Sequence, residues 1–318
     1  MDDRFLIRVA RDEADLAAWA AVKNQLTPHD PVSVEELQHD LAHDQSCKLF
    51  LAWNGQVVGS GIGRRSRAAP DTLFAMARVV PEQRRRGIGS ELLAAISSEA
   101  RRLGLGHLLG RVDESDTESL EWADHRGLKE IGRDSTLILT LQDVPEGATR
   151  IRPTGVEIVS LAERPELAEA AHRIESEAIL DIPGPFPQAP VTFDAWTAAN
   201  VELPGFLPAG SFVALLEDQP VGYAGLTRSD ASLAEHLLTA VLRRARRRGI
   251  ATALKQAQIA WARDAGYKQL VTWTSSRNDP MRATNLKLGY VERPASIAVR
   301  GPRDWKRLDI VGNRPRGL

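Results

Sequence analysis

The sequence predicts an α+β protein made of two tandem copies of one unit, each a mixed, mainly antiparallel sheet flanked by helices. Three observations predict it. First, Val79-Val80-Pro81-Glu82-Gln83-Arg84-Arg85-Arg86-Gly87-Ile88-Gly89-Ser90 recurs as Val241-Leu242-Arg243-Arg244-Ala245-Arg246-Arg247-Arg248-Gly249-Ile250-Ala251-Thr252, an offset of 162 residues (Val79 to Val241). The offset holds through Gly104 and Gly266, Leu108 and Leu270, and Gly127 and Gly289. A register kept this long marks a duplicated folded unit. Second, strand-like and helix-like runs follow one another in the same order in both halves. Third, Pro145, Gly147, Pro153 and Gly155 break both periods over residues 142–155, dividing the chain into domains 1–143 and 144–318.

The first half opens with a strand over residues 5–9 and a helix over 13–26. A second helix over 34–43 follows, with Ser33 placed to cap it and Glu36 at the capping-box position. Apolar runs at 48–53 and 57–64 flank Asn54-Gly55, a strong hairpin signal. Residues 72–80 read as a longer strand. From Gly87 the period turns helical, with Ile88, Leu92, Leu93, Ile96 and Ala100 on one face, until Gly104. A strand at 107–112, a helix at 117–125 stopped by Gly127, and a strand at 135–141 complete the half. The second half repeats the order: strand 156–160, helix 166–179, a long irregular segment, hairpin 212–216 and 221–226, strand 233–242, helix 250–264, strand 269–274, helix 281–288 and strand 296–299. The irregular segment holds Pro183, Pro185, Pro187, Pro190, Pro204 and Pro208 with Phe186, Phe193, Trp196 and Phe206. It reads equally as a wall over an acceptor site or as a packed connection between domains.

Composition excludes several function classes. The 318 residues carry a net charge of −1, so the arginine clusters are local and no nucleic-acid partner is expected in bulk. Cys47 is the only cysteine, and no Cys/His spacing suits a metal. Met1-Asp2-Asp3 opens without a signal-peptide pattern, and no apolar run approaches the roughly 18 residues of a membrane span. The expectation is a cytoplasmic protein with no membrane partner.

The duplicated strand–arginine turn–helix unit has the chemistry of an anion site. The first amides of a helix lack intrahelical partners and carry the positive end of the dipole. Gly87 and Gly89, like Gly249 and Ala251, let a phosphate approach the backbone, and the arginines add charge-assisted contacts. A basic helix start on a solvated surface, or an RNA-binding patch, is the plainer reading of one such cluster alone.

Both copies resemble the cofactor motif of the GNAT acetyltransferase superfamily, V-x-x-x-x-(Q/R)-x-x-G-x-(G/A). Val79, Arg84, Gly87 and Gly89 match it, as do Val241, Arg246, Gly249 and Ala251. The family's downstream (L/K)-x-G-(F/Y) ending resembles Lys287-Leu288-Gly289-Tyr290, and more weakly Arg126-Gly127-Leu128. The resemblance spans residues 4–141 and 156–300. It implies a tandem protein that binds acetyl-CoA, with the pyrophosphate on Arg84, Arg85, Arg86, Gly87, Ile88, Gly89 and Ser90, or on Arg246, Arg247, Arg248, Gly249, Ile250, Ala251 and Thr252. It also implies that backbone of Val79 and Val80, or Val241 and Leu242, polarises the thioester carbonyl.

Family members often carry a glutamate base six residues before the motif valine, which here is Glu235; the same count in the first half falls on Leu73. Asn278 and Asn285 occupy positions where the family places groups against the pantetheine and sulfur, and their counterparts are Asp116 and Ala123. The resemblance thus points to the C-terminal domain as the catalytic one, with Glu235 as base and Asn285 beside the sulfur. The family's usual tyrosine acid is absent from that position, which leaves the acid unassigned. Glu175, Glu177 and Asp181 are reserve carboxylates for an acceptor cation. The expected function is acetyl transfer from acetyl-CoA to a small-molecule amine, directly and without a cysteine intermediate. The alternative is a non-catalytic CoA-binding or regulatory protein.

Overall fold

The structure, a computed structural model, describes residues 5–28, 30–66, 69–145 and 153–305. Residues 146–152, the middle of the expected linker, lie outside the described residues. The first half contains β1 (Leu6–Val9), α1 (Glu13–Leu26), α2 (Val34–His43), β2 (Lys48–Trp53), β3 (Val57–Arg65), β4 (Thr72–Val79), α3 (Ile88–Arg102), β5 (His107–Asp113), α4 (Thr117–Asp124) and β6 (Lys129–Thr140). The second contains β7 (Val156–Ser160), α5 (Ala168–Ala178), α6 (Phe193–Ala199), β8 (Phe212–Leu216), β9 (Gln219–Arg228), β10 (Leu233–Val241), α7 (Ile250–Asp264), β11 (Gln269–Ser275), α8 (Asp279–Lys287) and β12 (Val291–Pro302).

Local chemistry explains most boundaries. Ser33 and Glu36 form the expected capping box on α2. Gly55 turns the β2–β3 hairpin with φ +74°. Short α6, hidden from periodicity by the surrounding prolines, starts where the Thr192 hydroxyl accepts from Ala195 N.

Among the described residues all strands join one sheet, in the order β1-β2-β3-β4-β5-β12-β6-β11-β10-β9-β8-β7. The two halves therefore exchange their last strands. β12 lies against β5 of the first half, β6 lies against β11 of the second, and β6 and β12 pair with each other at the centre. Both are longer than their sequence patterns suggest, because each is flanked by strands on both sides. The folded units are consequently not the contiguous stretches on either side of the linker.

Opposite faces of the sheet carry different helices. Leu73 and Ala75 of β4 join Leu92, Leu93 and Ile96 of α3, whereas Phe74 and Met76 pack with Trp19 of α1 and Leu37 of α2. The second half repeats this, with Val241 against Ile250 and Leu254 of α7 and Ala240 against Ile174 of α5. His39 Nε2 of α2 meets Ala198 O of α6 at 3.0 Å, so these two helices touch across the junction between the halves.

Candidate active site

Strands β4 and β5 run parallel and pair only at Thr72–Phe74 with His107–Leu109; beyond that they part. Between them lies a cleft of about 560 Å³. One end is the turn of residues 84–90, the walls are Ala75, Ala77 and Val79 facing Gly110 and Val112, and the other end reaches Leu26, Thr27 and Arg78. Gly110 is needed here, since a Cβ would stand 3.1 Å from Ala75 O and narrow the gap between the strands.

Both turns have the same geometry. Arg84 Nε donates to Val79 O at 3.3 Å, and Arg246 Nε to Val241 O at 3.0 Å. Arg85 and Arg247 are left-handed (φ 62° and 63°), and Gly87 and Gly249 follow as N-caps at φ 85° and 78°. Neither α3 nor α7 has a side-chain cap, so their first amides remain available to an anion. Carboxylates attend each turn: Glu118 lies 3.0 Å from Arg85 Nη1, and Asp181 lies 2.6 Å from Arg243 Nη2 and 2.8 Å from Arg246 Nη1. These arginines hold the Asp181 carboxyl well below the usual range. Glu177 accepts from Arg243 N and Glu175 from Trp196 Nε1, so the three reserve carboxylates are engaged within the second half.

The first half adds a cation that its repeat lacks. Arg126 (Leu288 in the second copy) lies 4.0 Å over Trp122, and its Nη2 donates to Ser90 Oγ at 2.9 Å. Among the described residues its Nε is buried without a partner, and burial disfavours its charge with no carboxylate offsetting it. An anionic group at the start of α3 would satisfy both the amides and this guanidinium, so the residues present fit a CoA pyrophosphate.

Glu235 and Asn285 are not brought together. Glu235 sits on β10 where the β9 register slips by one residue between His236 and Thr239. That bulge adds a residue to β10 relative to β4. Parallel pairing sets Leu73 opposite Leu108 and Phe74 opposite Leu109, while Ala234 faces Leu270 and Glu235 faces Val271. The counterpart of Glu235 is therefore Phe74, not Leu73. The carboxyl of Glu235 is turned to the first half, within electrostatic reach of Lys23, Asp30 and Glu36. Burial, reinforced by Asp30, pushes it up to about 8, with Lys23 partly offsetting.

Asn285 is fully buried, and among the described residues neither polar atom of its amide has a partner. The Asn278 amide oxygen caps α8, as Asp116 caps α4. At five corresponding buried positions the second half has polar groups where the first is apolar. Ala75, Leu93, Ile96, Ala123 and Leu128 correspond to His236, Lys255, Gln258, Asn285 and Tyr290. Gln258 Nε2 lies toward Gly210 O, leaving Oε1 to accept from His236 Nδ1 at 2.9 Å. His236 Nε2 then accepts the Tyr290 hydroxyl at 2.5 Å, and burial keeps the imidazole neutral. Lys255 Nζ is buried 5.3 Å from the Tyr290 ring without a hydrogen-bond partner among the described residues, and its pKa falls to about 7 through desolvation.

Lys255→Met should therefore raise the unfolding free energy by about 1–4 kcal/mol. The folded pKa lies below the unfolded value, so the wild type gains stability as pH rises from about 7 to about 10. The advantage of the variant should shrink over that window. Urea titrations at about pH 6 and about pH 9.5 check this, and a gain independent of pH contradicts a charged Lys255 at low pH.

The Acetyltransferase (GNAT) family matches the chain twice, over residues 12–128 and 173–290. The chain belongs to the GNAT acetyltransferase family. Similar solved structures include a GCN5-related N-acetyltransferase from Sphaerobacter thermophilus, with a TM-score of 0.72 at 20% identity over 95% of this chain and 96% of that one. A tandem GNAT protein from the clavulanic acid biosynthesis pathway gives 0.73 at 19% identity over 95% and 99%. At such identities the likeness is one of fold, and it covers both halves of the GNAT chain. No curated protein matches it. The family's general chemistry is acyl-CoA-dependent N-acetyl transfer. Within this GNAT protein Cys47 is buried and its thiol is pushed up to about 12, which makes it a poor nucleophile. No described helix is long and apolar enough to cross a membrane.

Proposed function

We propose that the protein transfers an acetyl group from acetyl-CoA to the amine of a small molecule, directly, with the cofactor in the first-half cleft. The open passage from the turn of residues 84–90 between β4 and β5 to Leu26 and Thr27 carries this reading. Bound acetyl-CoA supplies a thioester whose acyl carbon takes up the amine while the sulfur leaves as the thiol. The amides at the start of α3, Arg84 and Arg126 hold the phosphates, and the backbone of Val79 and Val80 borders the acyl end.

Glu235 is the proposed base, contributed by the other half. An ammonium acceptor with an ordinary pKa near 10 has to lose a proton before attack, and a carboxyl raised to about 8 is a better match than an ordinary glutamate. Lys23 is in electrostatic reach of both Glu235 and Arg78, which supports placing the base at the acceptor end. Asn285, enclosed in the second half, has no part in this reading.

The second reading is CoA binding without turnover at the second turn, favoured by the matching geometry of Arg246, Arg247 and Gly249. Calorimetric titration with acetyl-CoA, followed by a released-thiol assay on a panel of small amines, separates the two. The proposal expects one acetyl-CoA per chain and turnover. Binding without acetylation of any amine favours the second reading, and absence of binding sinks both.

A further inference from the structure

The acceptor end of the first-half cleft contains a cation that the site as described leaves unmatched. Arg78 lines this end, together with Leu26 and Thr27. Its counterpart in the repeat is Ala240, so it belongs to the first half alone. Its Nη1 is buried with no hydrogen-bond partner among the described residues. Trp19 covers the guanidinium at 5.9 Å, and among the described residues no carboxylate is hydrogen-bonded to its buried Nη1. Asp30 attracts it from a distance but is bound to Lys23 Nζ at 2.9 Å. A guanidinium does not shed its charge, and a buried cation without an anion is unfavourable. An occupant that brings an anion relieves this.

Position decides which occupant. Along β4, Ala75, Ala77 and Val79 belong to the α3 side, where the phosphate turn lies, whereas Phe74 and Met76 pack toward α1. Arg78 shares the α1 side, against Trp19. It is thus across the sheet from the phosphate turn, where an acceptor entering past Thr27 meets the acyl end. Asp30 is within electrostatic reach of both Arg78 and Glu235, and Lys23 is in reach of the same two groups.

We propose that Arg78 binds a carboxylate of the acceptor, so that the substrate is an amine that also carries a carboxylate, in the manner of an amino acid. This rests on the cofactor occupying the first-half cleft. The amine then points to the side of Asp30 and Glu235, and the carboxylate pairs with the guanidinium, preferably through both of its oxygens.

The test uses the full chain and the common α-amino acids, β-alanine and γ-aminobutyrate, each against its primary amide, with acetyl-CoA as donor. The wild type should favour the carboxylates by roughly 100-fold or more in kcat/KM, as loss of a buried charge contact implies. Arg78→Met should bring that ratio near one, and Arg78→Lys should restore part of it. Calorimetry of the same acids on protein without cofactor should show weak binding that Arg78→Met abolishes, while acetyl-CoA affinity stays within about twofold. Equal use of acids and amides, discrimination that survives in Arg78→Met, or no acetylation of any acid while acetyl-CoA binds would each overturn the proposal. A preference for succinyl-CoA over acetyl-CoA that vanishes in Arg78→Met would place the anion on the acyl group and overturn it as well. Failure of acetyl-CoA to bind marks instead the failure of the cofactor reading beneath it.

Discussion

Gly87→Val should weaken acetyl-CoA binding by about 100-fold or more, because it removes the phosphate site at its source. Gly87 is the N-cap of α3 at φ 85°, a conformation that a β-branched residue resists strongly. No atom lies within 4 Å of a Cβ built there, so the effect comes from backbone conformation rather than crowding. Moving this residue out of the left-handed region redirects the following amides of α3, which are the uncapped donors. Gly249→Val makes the same change in the second turn at φ 78°. It should lower the melting temperature comparably and leave acetyl-CoA affinity within about threefold, since local strain is shared but the site is not. Calorimetry on the two variants compares them directly. Loss of binding in Gly249→Val with retention in Gly87→Val would move the cofactor to the second half.

Much of this is legible in the sequence because it is local. The duplicated turns, the capping box at Ser33 and Glu36, and the Asn54-Gly55 hairpin depend on residues within a few positions of each other. The strand exchange is not local. β6 and β12 have the composition of ordinary terminal strands, and only long-range pairing sets each beside the other half. The bulge in β10 is likewise silent, since the ungapped register starts at Val79 and the extra residue enters before it. That single residue moves the partner of Glu235 from Leu73 to Phe74 and turns its carboxyl toward the first half. The polar replacement in the second half did leave a signal. Lys255 and Gln258 fall where the repeat has Leu93 and Ile96, on the buried face of an amphipathic helix. Polar residues on such a face mark a departure from the apolar cleft, whereas Asn285 read alone suggests a ligand contact. Arg78 has a similar signature: a charged residue in a half-buried strand, facing Ala240 across the repeat.

Glu235→Gln should lower kcat by about 10²–10⁴ if the carboxylate is the base. It should also remove a limb of the pH profile. In the wild type the base works only when ionised, so kcat/KM should rise with pH and level off above about 8, the value to which burial lifts the group. Stability should move the other way. The folded pKa lies above the unfolded value near 4.3, so between these the native state holds a proton that the unfolded chain has lost. Wild-type stability therefore falls as pH rises from about 4 to about 8, and stays lowered above it. Glutamine has no proton to lose at this position. The variant should match the wild type near pH 4 and exceed it above about pH 8, by an amount of order a few kcal/mol at most. Opposite signs of activity and stability at high pH distinguish a buried base from a structural carboxylate, whose loss would lower both. Stopped thiol-release kinetics and urea titrations across the same pH range read the two effects. An unchanged pH profile in Glu235→Gln, with stability altered as described, would leave the carboxyl buried and raised but not the base.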